Sequence, residues 1–247
     1  MLKAIFRISK SDPHSYIYGY KRKFRMKTCF ALLMILLVSK ISFAQVTSFD
    51  IDSSKLIIPL LAPLDSLGRE DQAPRLKVLD AIRNKASTKQ IDSLKVIMHE
   101  KDKQNLVMVE AVLSKYGWLG PQKVGFNGSE ALFLVIQHAD LLTQQKYLPM
   151  IRTAEKNGET LSSNLAILED RIAMREGRKQ IYGSQGFTDK VTGKKYIFPM
   201  IDPDKLDERR KAMGMPPMAV YEQSWDLTAY KKELPEIERI VKQQNIK

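Results

Sequence analysis

The segment that most constrains this chain is residues 26–45, because it separates a leader from the residues that can build a folded domain. The single basic residue Lys27 precedes an unbroken apolar run at residues 29–38. Residues 42–44 read Ser-Phe-Ala, the small-x-small pattern that signal peptidase accepts, so we expect cleavage between Ala44 and Gln45. We therefore interpret residues 1–44 as a secretory signal peptide and residues 1–25 as an upstream extension.

The apolar run is about half as long as the roughly 20 residues that span a bilayer. Cleavage is accordingly the favoured interpretation, and an uncleaved membrane anchor is the alternative. The expected localisation is periplasmic or secreted. Membrane contact is expected only through the signal peptide before it is cleaved.

Removal of the leader changes the charge of the chain. The leader contains nine basic residues and one acidic residue, so 31 of the 40 basic and 27 of the 28 acidic residues remain and the net charge falls from +12 to +4. This value is ordinary for a soluble domain, and no basic stripe with interleaved aromatics appears, so nucleic acid is not an expected partner. The only cysteine, Cys29, also belongs to the leader, which excludes a disulfide or thiol nucleophile from the mature chain.

The 203 residues after the leader are enough for one substantial core. Apolar spacing, glycines, prolines and capping residues predict helices at residues 74–84, 90–116, 131–142, 148–156, 161–176 and 203–214. Prolines interrupt the spacing in residues 46–73, which we interpret as a broken or kinked entry segment. Asp71 or Gln72 is the expected cap of the helix at residues 74–84. Glycine and proline content predicts a loop at residues 117–128.

The sequence pattern changes from helical to strand-like after residue 180. Residues 180–187 and 195–200 have strand character around a Thr192-Gly193 turn, which predicts a hairpin. Residues 224–247 are polar and of mixed charge, and we expect a peripheral tail. The predicted fold is thus mainly α: a single helical domain at residues 45–223, with a small β-hairpin at residues 180–200 near the C-terminal third.

Several polar residues interrupt apolar helix faces. Asp170 and His138 each have apolar residues three and four positions away on both sides, and Asp102 and Asn105 interrupt the apolar stripe of the helix at residues 90–116. A buried carboxylate is costly unless it is paired. Each position also has a structural explanation: an arginine partner for Asp170, a satisfied core histidine at His138, and a solvent gap at Asp102 and Asn105.

A shared pocket is the functional interpretation of these residues. Histidine is the side chain that changes charge near neutral pH, so His138 is the candidate general acid or base and Asp170 its orienting partner or a second carboxylate. Candidate ligand-binding residues are the polar side chains expected near these two: Asp102, Asn105, Gln137, Arg171, Gln180, Tyr182, Gln185 and Arg210. The known zinc, nucleophile-elbow, phosphate-loop and dinucleotide motifs are missing, so no metal and no cofactor is expected.

Seven short motifs carry a resemblance. In this sequence they are Asp71-Gln72-x-x-Arg75, Asp102-x-x-Asn105, Gly117-Trp118, Gln137-His138-Ala139-Asp140, Leu168-x-Asp170-Arg171, Gln180-x-Tyr182-Gly183-x-Gln185 and Asp207-x-Arg209-Arg210. As a set they resemble an uncharacterised bacterial family, designated a domain of unknown function and common in Bacteroidetes, over roughly residues 60–221. The resemblance implies that these polar residues belong together, and it implies no activity.

Two functions from different classes follow. The first is an exported helical protein whose polar pocket binds or processes a small polar ligand of the envelope or periplasm. The second is a non-catalytic interaction or structural module of the cell envelope, in which the buried polar network only fixes helix packing. The sequence does not decide whether the protein is an enzyme, and it does not define an oligomeric state.

Overall fold

The computed structural model describes residues 45–246, and within them the mainly α fold with a C-terminal hairpin is confirmed. The predicted signal peptide lies outside the described residues. Among residues 45–246 no helix has both the length and the apolar character needed to cross a membrane. The elements are α1 (Ile58–Arg83), α2 (Thr88–Tyr116), α3 (Pro121–His138), α4 (Leu141–Lys156), α5 (Ser162–Arg175), β1 (Gly186–Thr188), β2 (Lys195–Ile197), α6 (Leu206–Ala212), α7 (Met218–Tyr221) and α8 (Leu227–Gln244).

Helix α3 is the centre of the helical bundle. It packs against α1, α2, α4 and α5, while α1 pairs with α2 and α4 pairs with α5. Because α3 meets neighbours on several sides, its side chains are apolar on more than one face, and Leu132, Phe133, Val135 and Ile136 are all buried. This central position places the end of α3, at His138, between helices that come from distant parts of the sequence.

Helix α1 runs without a break through Pro63 and Pro74, so the prediction of a break in this segment is wrong. An internal proline removes a backbone hydrogen bond and crowds the preceding turn. Tertiary packing offsets that cost here, because α1 buries Leu64, Leu67 and Val78 against its neighbours. Asp71, which was expected to cap a helix, therefore lies inside α1 and points into the bundle.

Helices α2 and α5 lie where the periodicity predicts them. Helix α2 begins with a capping box: the Ser87 side chain accepts from the backbone of Gln90, and the Gln90 side chain accepts from the Ser87 backbone. Helix α5 lies within one residue of the predicted bounds at each end.

The region around α3 differs from its prediction at both ends. Helix α3 begins at Pro121, and Gly125 forms a kink in it with φ of 69°, so most of the predicted loop at residues 117–128 is helical. The helix ends at His138 because the Asp140 carboxylate accepts from the N–H of Thr143, at 2.8 Å, and starts α4. Leu142, the last residue of the helix predicted at residues 131–142, lies in α4 instead and is 77% exposed.

The C-terminal part has its own apolar cluster. Strands β1 and β2 pair antiparallel and are shorter than predicted, and a single parallel bridge joins Gln180 to Met200. The segment expected to be a peripheral tail forms α8 instead, because apolar residues recur on one face of it and pack inward. The buried residues of this cluster are Met200, Leu206, Met218, Tyr230 and Ile237.

Candidate functional site

Asp71 and His138 form the buried centre of the site. Both carboxylate oxygens of Asp71, in α1, lie 3.1 Å from Nδ1 of His138, at the end of α3. Burial alone raises the pKa of Asp71, but the hydrogen bond with His138, the charge of the His138 ring when it is protonated and the positive charge of Arg75 together outweigh burial and hold this pKa below its ordinary value. Asp71 is therefore an ionised acceptor that orients the imidazole ring.

Arg75 joins three helices through one guanidinium group. Its Nε donates to Nε2 of His138 at 3.3 Å, one terminal nitrogen donates to the backbone carbonyl of Asp71 at 3.0 Å, and the other donates to Oδ1 of Asp102, in α2, at 2.7 Å. Because an arginine only donates, Nε2 of His138 must accept, and the His138 proton lies on Nδ1. We call Asp71, Arg75, Asp102 and His138 the histidine cluster.

The histidine cluster borders an open cleft of about 580 Å³, a size typical of small-molecule sites. The side chains of His138 and Asp102 are 16% and 13% exposed, so the cluster is not sealed from solvent. His99 stands at the mouth, with Nδ1 3.6 Å from Oδ2 of Asp102. The cleft is lined by His99, Asp102, Lys103, Leu106, His138, Ala139, Asp140, Leu141 and Arg175.

Two arginines of α5 add positive charge on this side of the bundle. Arg175 lines the cleft and donates to the backbone carbonyl of Ala139 at 2.5 Å. Arg171 is one helical turn earlier, and its buried Nε has no hydrogen-bond partner within the described residues. Burial, together with the neighbouring charges of Arg175 and Arg75, lowers the pKa of Arg171 to about 10.

Asp170 is fully buried as expected, but it is not beside His138. Its carboxylate accepts from the backbone N–H groups of Ile181, Tyr182 and Ser184 and from the Ser184 hydroxyl, at 2.6 to 3.2 Å. The expectation that Asp170 orients His138 is corrected, because both ring nitrogens of His138 already face Asp71 and Arg75. Asp170 instead fixes the loop at residues 180–185.

Four other candidate residues belong to the same loop or bind it. The Gln180 amide donates to the carbonyls of Gln185 and Phe198 and accepts from the Gln185 N–H, at 2.8 to 3.0 Å. Arg210 donates to the Tyr182 carbonyl at 2.8 Å and to the Pro216 carbonyl at 2.7 Å. The Tyr182 side chain is partly buried, and burial raises its pKa to about 12. We call Asp170, Gln180, Tyr182, Gln185 and Arg210 the loop network.

The predicted set is therefore divided between two networks. Asp102 and His138 belong to the histidine cluster, and Arg171 is close enough for the charge of Arg75 to repel its own. Asn105 is buried one turn after Asp102 on α2, and its Nδ2 has no partner among residues 45–246. Gln137 is buried, and its backbone carbonyl accepts from the Gln144 amide at 2.5 Å. A single pocket containing all ten candidates does not form.

The candidate site residues did not include Asp71, Arg75 or Arg175, although Asp71 and Arg75 stand in one of the seven motifs of the resemblance. A usable signal existed for Asp71, because Leu64, Leu67, Asp71 and Val78 follow one face of a helix at spacings of three, four and seven. Pro74 concealed it by suggesting a helix start at that point. If the helical pattern is continued through Pro74, Asp71 is a carboxylate in an apolar stripe. The same signal identified Asp170.

The fold and the site define a helical domain of uncharacterised type, with a buried histidine cluster at a cleft. In the described part of the chain no three His, Cys, Asp or Glu residues are placed to hold a metal ion. The chain belongs to DUF6624, a family of unknown function, whose model matches residues 60–231 and so spans both networks. Neither the curated proteins nor the solved structures provide a match to this chain.

Proposed function

We propose that the cleft beside His138 binds a small polar ligand and that His138 transfers a proton to or from it. The observation that carries this proposal is the pairing of His138 Nδ1 with both oxygens of buried Asp71 at 3.1 Å. Such a pairing fixes the ring orientation and the tautomer of a catalytic histidine. It leaves the lone pair of Nε2 as the proton acceptor.

Arg75 regulates access to that lone pair in this proposal. Its Nε donates to Nε2 of His138, and a terminal nitrogen is held by Asp102. A ligand that attracts the Arg75 guanidinium weakens the bond to Nε2 and frees the lone pair for proton abstraction. Ligand binding and activation of His138 are thereby coupled through one side chain.

The alternative function is an interaction or structural module in which the histidine cluster only fixes the packing of α1, α2 and α3. Its members satisfy one another with hydrogen bonds, as a purely structural network would. The cleft favours the binding function, because a network that serves packing alone gains nothing from partial exposure of His138 and Asp102.

We also propose that the domain works outside the cytoplasm, in the periplasm or as a secreted protein. The support is the Lys27, apolar-run and Ser-Phe-Ala pattern at residues 26–45. The ligand is then a small polar molecule of the envelope or periplasm.

Incubation of the purified protein with a mixture of small polar metabolites, followed by mass spectrometry, tests this function. We expect the wild type to retain or convert at least one component, and His138→Gln to do neither while unfolding cooperatively. Arg83→Gln is the control, since Arg83 is exposed near the end of α1 and does not line the cleft. Equal behaviour of wild type and His138→Gln would support the interaction module instead.

A further inference from the structure

Arg171 lies one helical turn before Arg175, which lines the cleft, and no carboxylate of the described residues pairs with the Arg171 guanidinium. Within residues 45–246 no carboxylate forms a salt bridge with it, and its buried Nε has no partner. Arg171 is partly buried, and its Nε–H is fully buried, so that donor loses water without gaining an acceptor, which is costly. A side chain retained under that cost points to a partner that the protein itself does not supply.

The other two arginines cannot relieve Arg171, and they add to the repulsion. Arg75 is already bound by Asp102 at 2.7 Å and lies 3.6 Å from Asp71. Arg175 lines the cleft, and its described hydrogen bond goes to the neutral carbonyl of Ala139. Two helices therefore direct three cations to one region. Asp71 and Asp102 are engaged there by His138 and Arg75, and Asp140, which caps α4, acts on Arg175 through its charge.

We propose that Arg171 and Arg175 bind the oxyanion group, a carboxylate or a phosphate, of the ligand that occupies the cleft. Guanidinium groups match both kinds of oxyanion because their N–H donors form a planar fork. Arg171 and Arg175 are four residues apart on α5, so their side chains project from the same face. This inference rests on the proposed function and adds the chemical class of the ligand.

The same oxyanion accounts for the release of His138. A negative group bound to Arg171 and Arg175 lies within the influence of Arg75, since the charge of Arg75 acts on Arg171. It competes with His138 Nε2 for the Arg75 guanidinium, which has the opposite charge. Binding of an anionic ligand therefore also frees Nε2 of His138 to accept a proton.

Titration of the full-length protein with inorganic phosphate and with acetate, at constant ionic strength set with sodium chloride, tests the inference by calorimetry. We expect saturable binding of at least one oxyanion with Kd on the order of 1 mM, as suits a small fragment. Arg171→Gln should weaken it at least about tenfold. Arg83→Gln, which removes an equal charge from an exposed position of α1, should leave it unchanged.

The response to each anion identifies the source of the oxyanion group. Binding of phosphate alone indicates a phosphorylated ligand, and binding of acetate alone indicates a carboxylate ligand. Absence of saturable binding by either anion, or equal weakening by Arg83→Gln, overturns the inference. That failure is distinct from failure of the proposed function. The protein could bind neither anion and still retain an uncharged metabolite in a way that depends on His138.

A stability measurement separates ligand binding from a structural brace. Arg171→Met replaces a partly buried charge, whose buried Nε has no partner within residues 45–246, with an apolar side chain of similar length. In chloride buffer we expect its melting temperature to equal or exceed that of the wild type, and added phosphate or acetate should stabilise the wild type only. A lower melting temperature for Arg171→Met in chloride would show that Arg171 braces the fold, and it would overturn the inference.

Discussion

The two carboxylate oxygens of Asp71 lie equally far, at 3.1 Å, from Nδ1 of His138, a residue 67 positions later in the chain. The contact exists because α1 remains helical through Pro74 and packs along α3. It links the stability of the bundle to the orientation of the imidazole, so substitutions at Asp71 should affect both.

Asp71→Asn should destabilise the protein by roughly 3 kcal/mol, because Arg75 and His138 lose the negative charge that compensates for their partial burial. Urea unfolding followed by circular dichroism measures the loss. Asp80→Asn is the matched control on the same helix, since Asp80 is exposed and pairs only with Arg83, and it should change the free energy of unfolding by about 0.5 kcal/mol or less. Equal effects of the two substitutions would contradict the buried role of Asp71.

The lowered pKa of Asp71 predicts a loss of stability in acid. Asp71 binds its proton more weakly in the folded chain than in the unfolded chain, whose carboxyl has the ordinary value of 3.8. Its contribution is therefore complete above that value and is lost as pH falls through the lower folded pKa. The difference in unfolding free energy between wild type and Asp71→Asn should shrink between pH 5 and pH 2; a constant difference would argue against an ionised Asp71.

Asp170→Leu should loosen the loop at residues 180–185 while leaving the histidine cluster intact. The substitution leaves the N–H groups of Ile181, Tyr182 and Ser184 without their acceptor, and we expect a loss of about 3 to 5 kcal/mol. Hydrogen exchange should accelerate at these amides first. Glu169→Gln changes the adjacent carboxylate, which pairs with Arg152, and should preserve their protection. Unchanged exchange in Asp170→Leu would contradict the loop network.

Export predicts that the mature chain begins at Gln45. Intact-mass measurement of the protein from the periplasmic or secreted fraction should give the mass of residues 45–247. A chain that still begins at Met1 or Met26 in the membrane fraction would identify an uncleaved anchor instead.

Periodicity revealed which residues face inward, but it did not reveal their neighbours. His138 and Asp102 were identified as polar residues on apolar faces, and they do meet, through Arg75. Asp170 carried the same signal but binds backbone N–H groups, because a carboxylate finds donors in a tight loop as readily as in a side chain. Asp71 was missed because a local rule about proline concealed a helix that tertiary packing maintains.

The central claim is that Asp71 and Arg75 prepare His138 for proton transfer through Nε2. A long-range proton–nitrogen NMR spectrum of the histidine rings at neutral pH, with His138→Gln used for assignment, tests it most directly. We expect a single His138 tautomer with the proton on Nδ1 and a lone pair on Nε2, and we expect Asp71→Asn to abolish this preference for one tautomer. A His138 ring protonated on Nε2, or one that averages freely between tautomers in the wild type, would contradict the account.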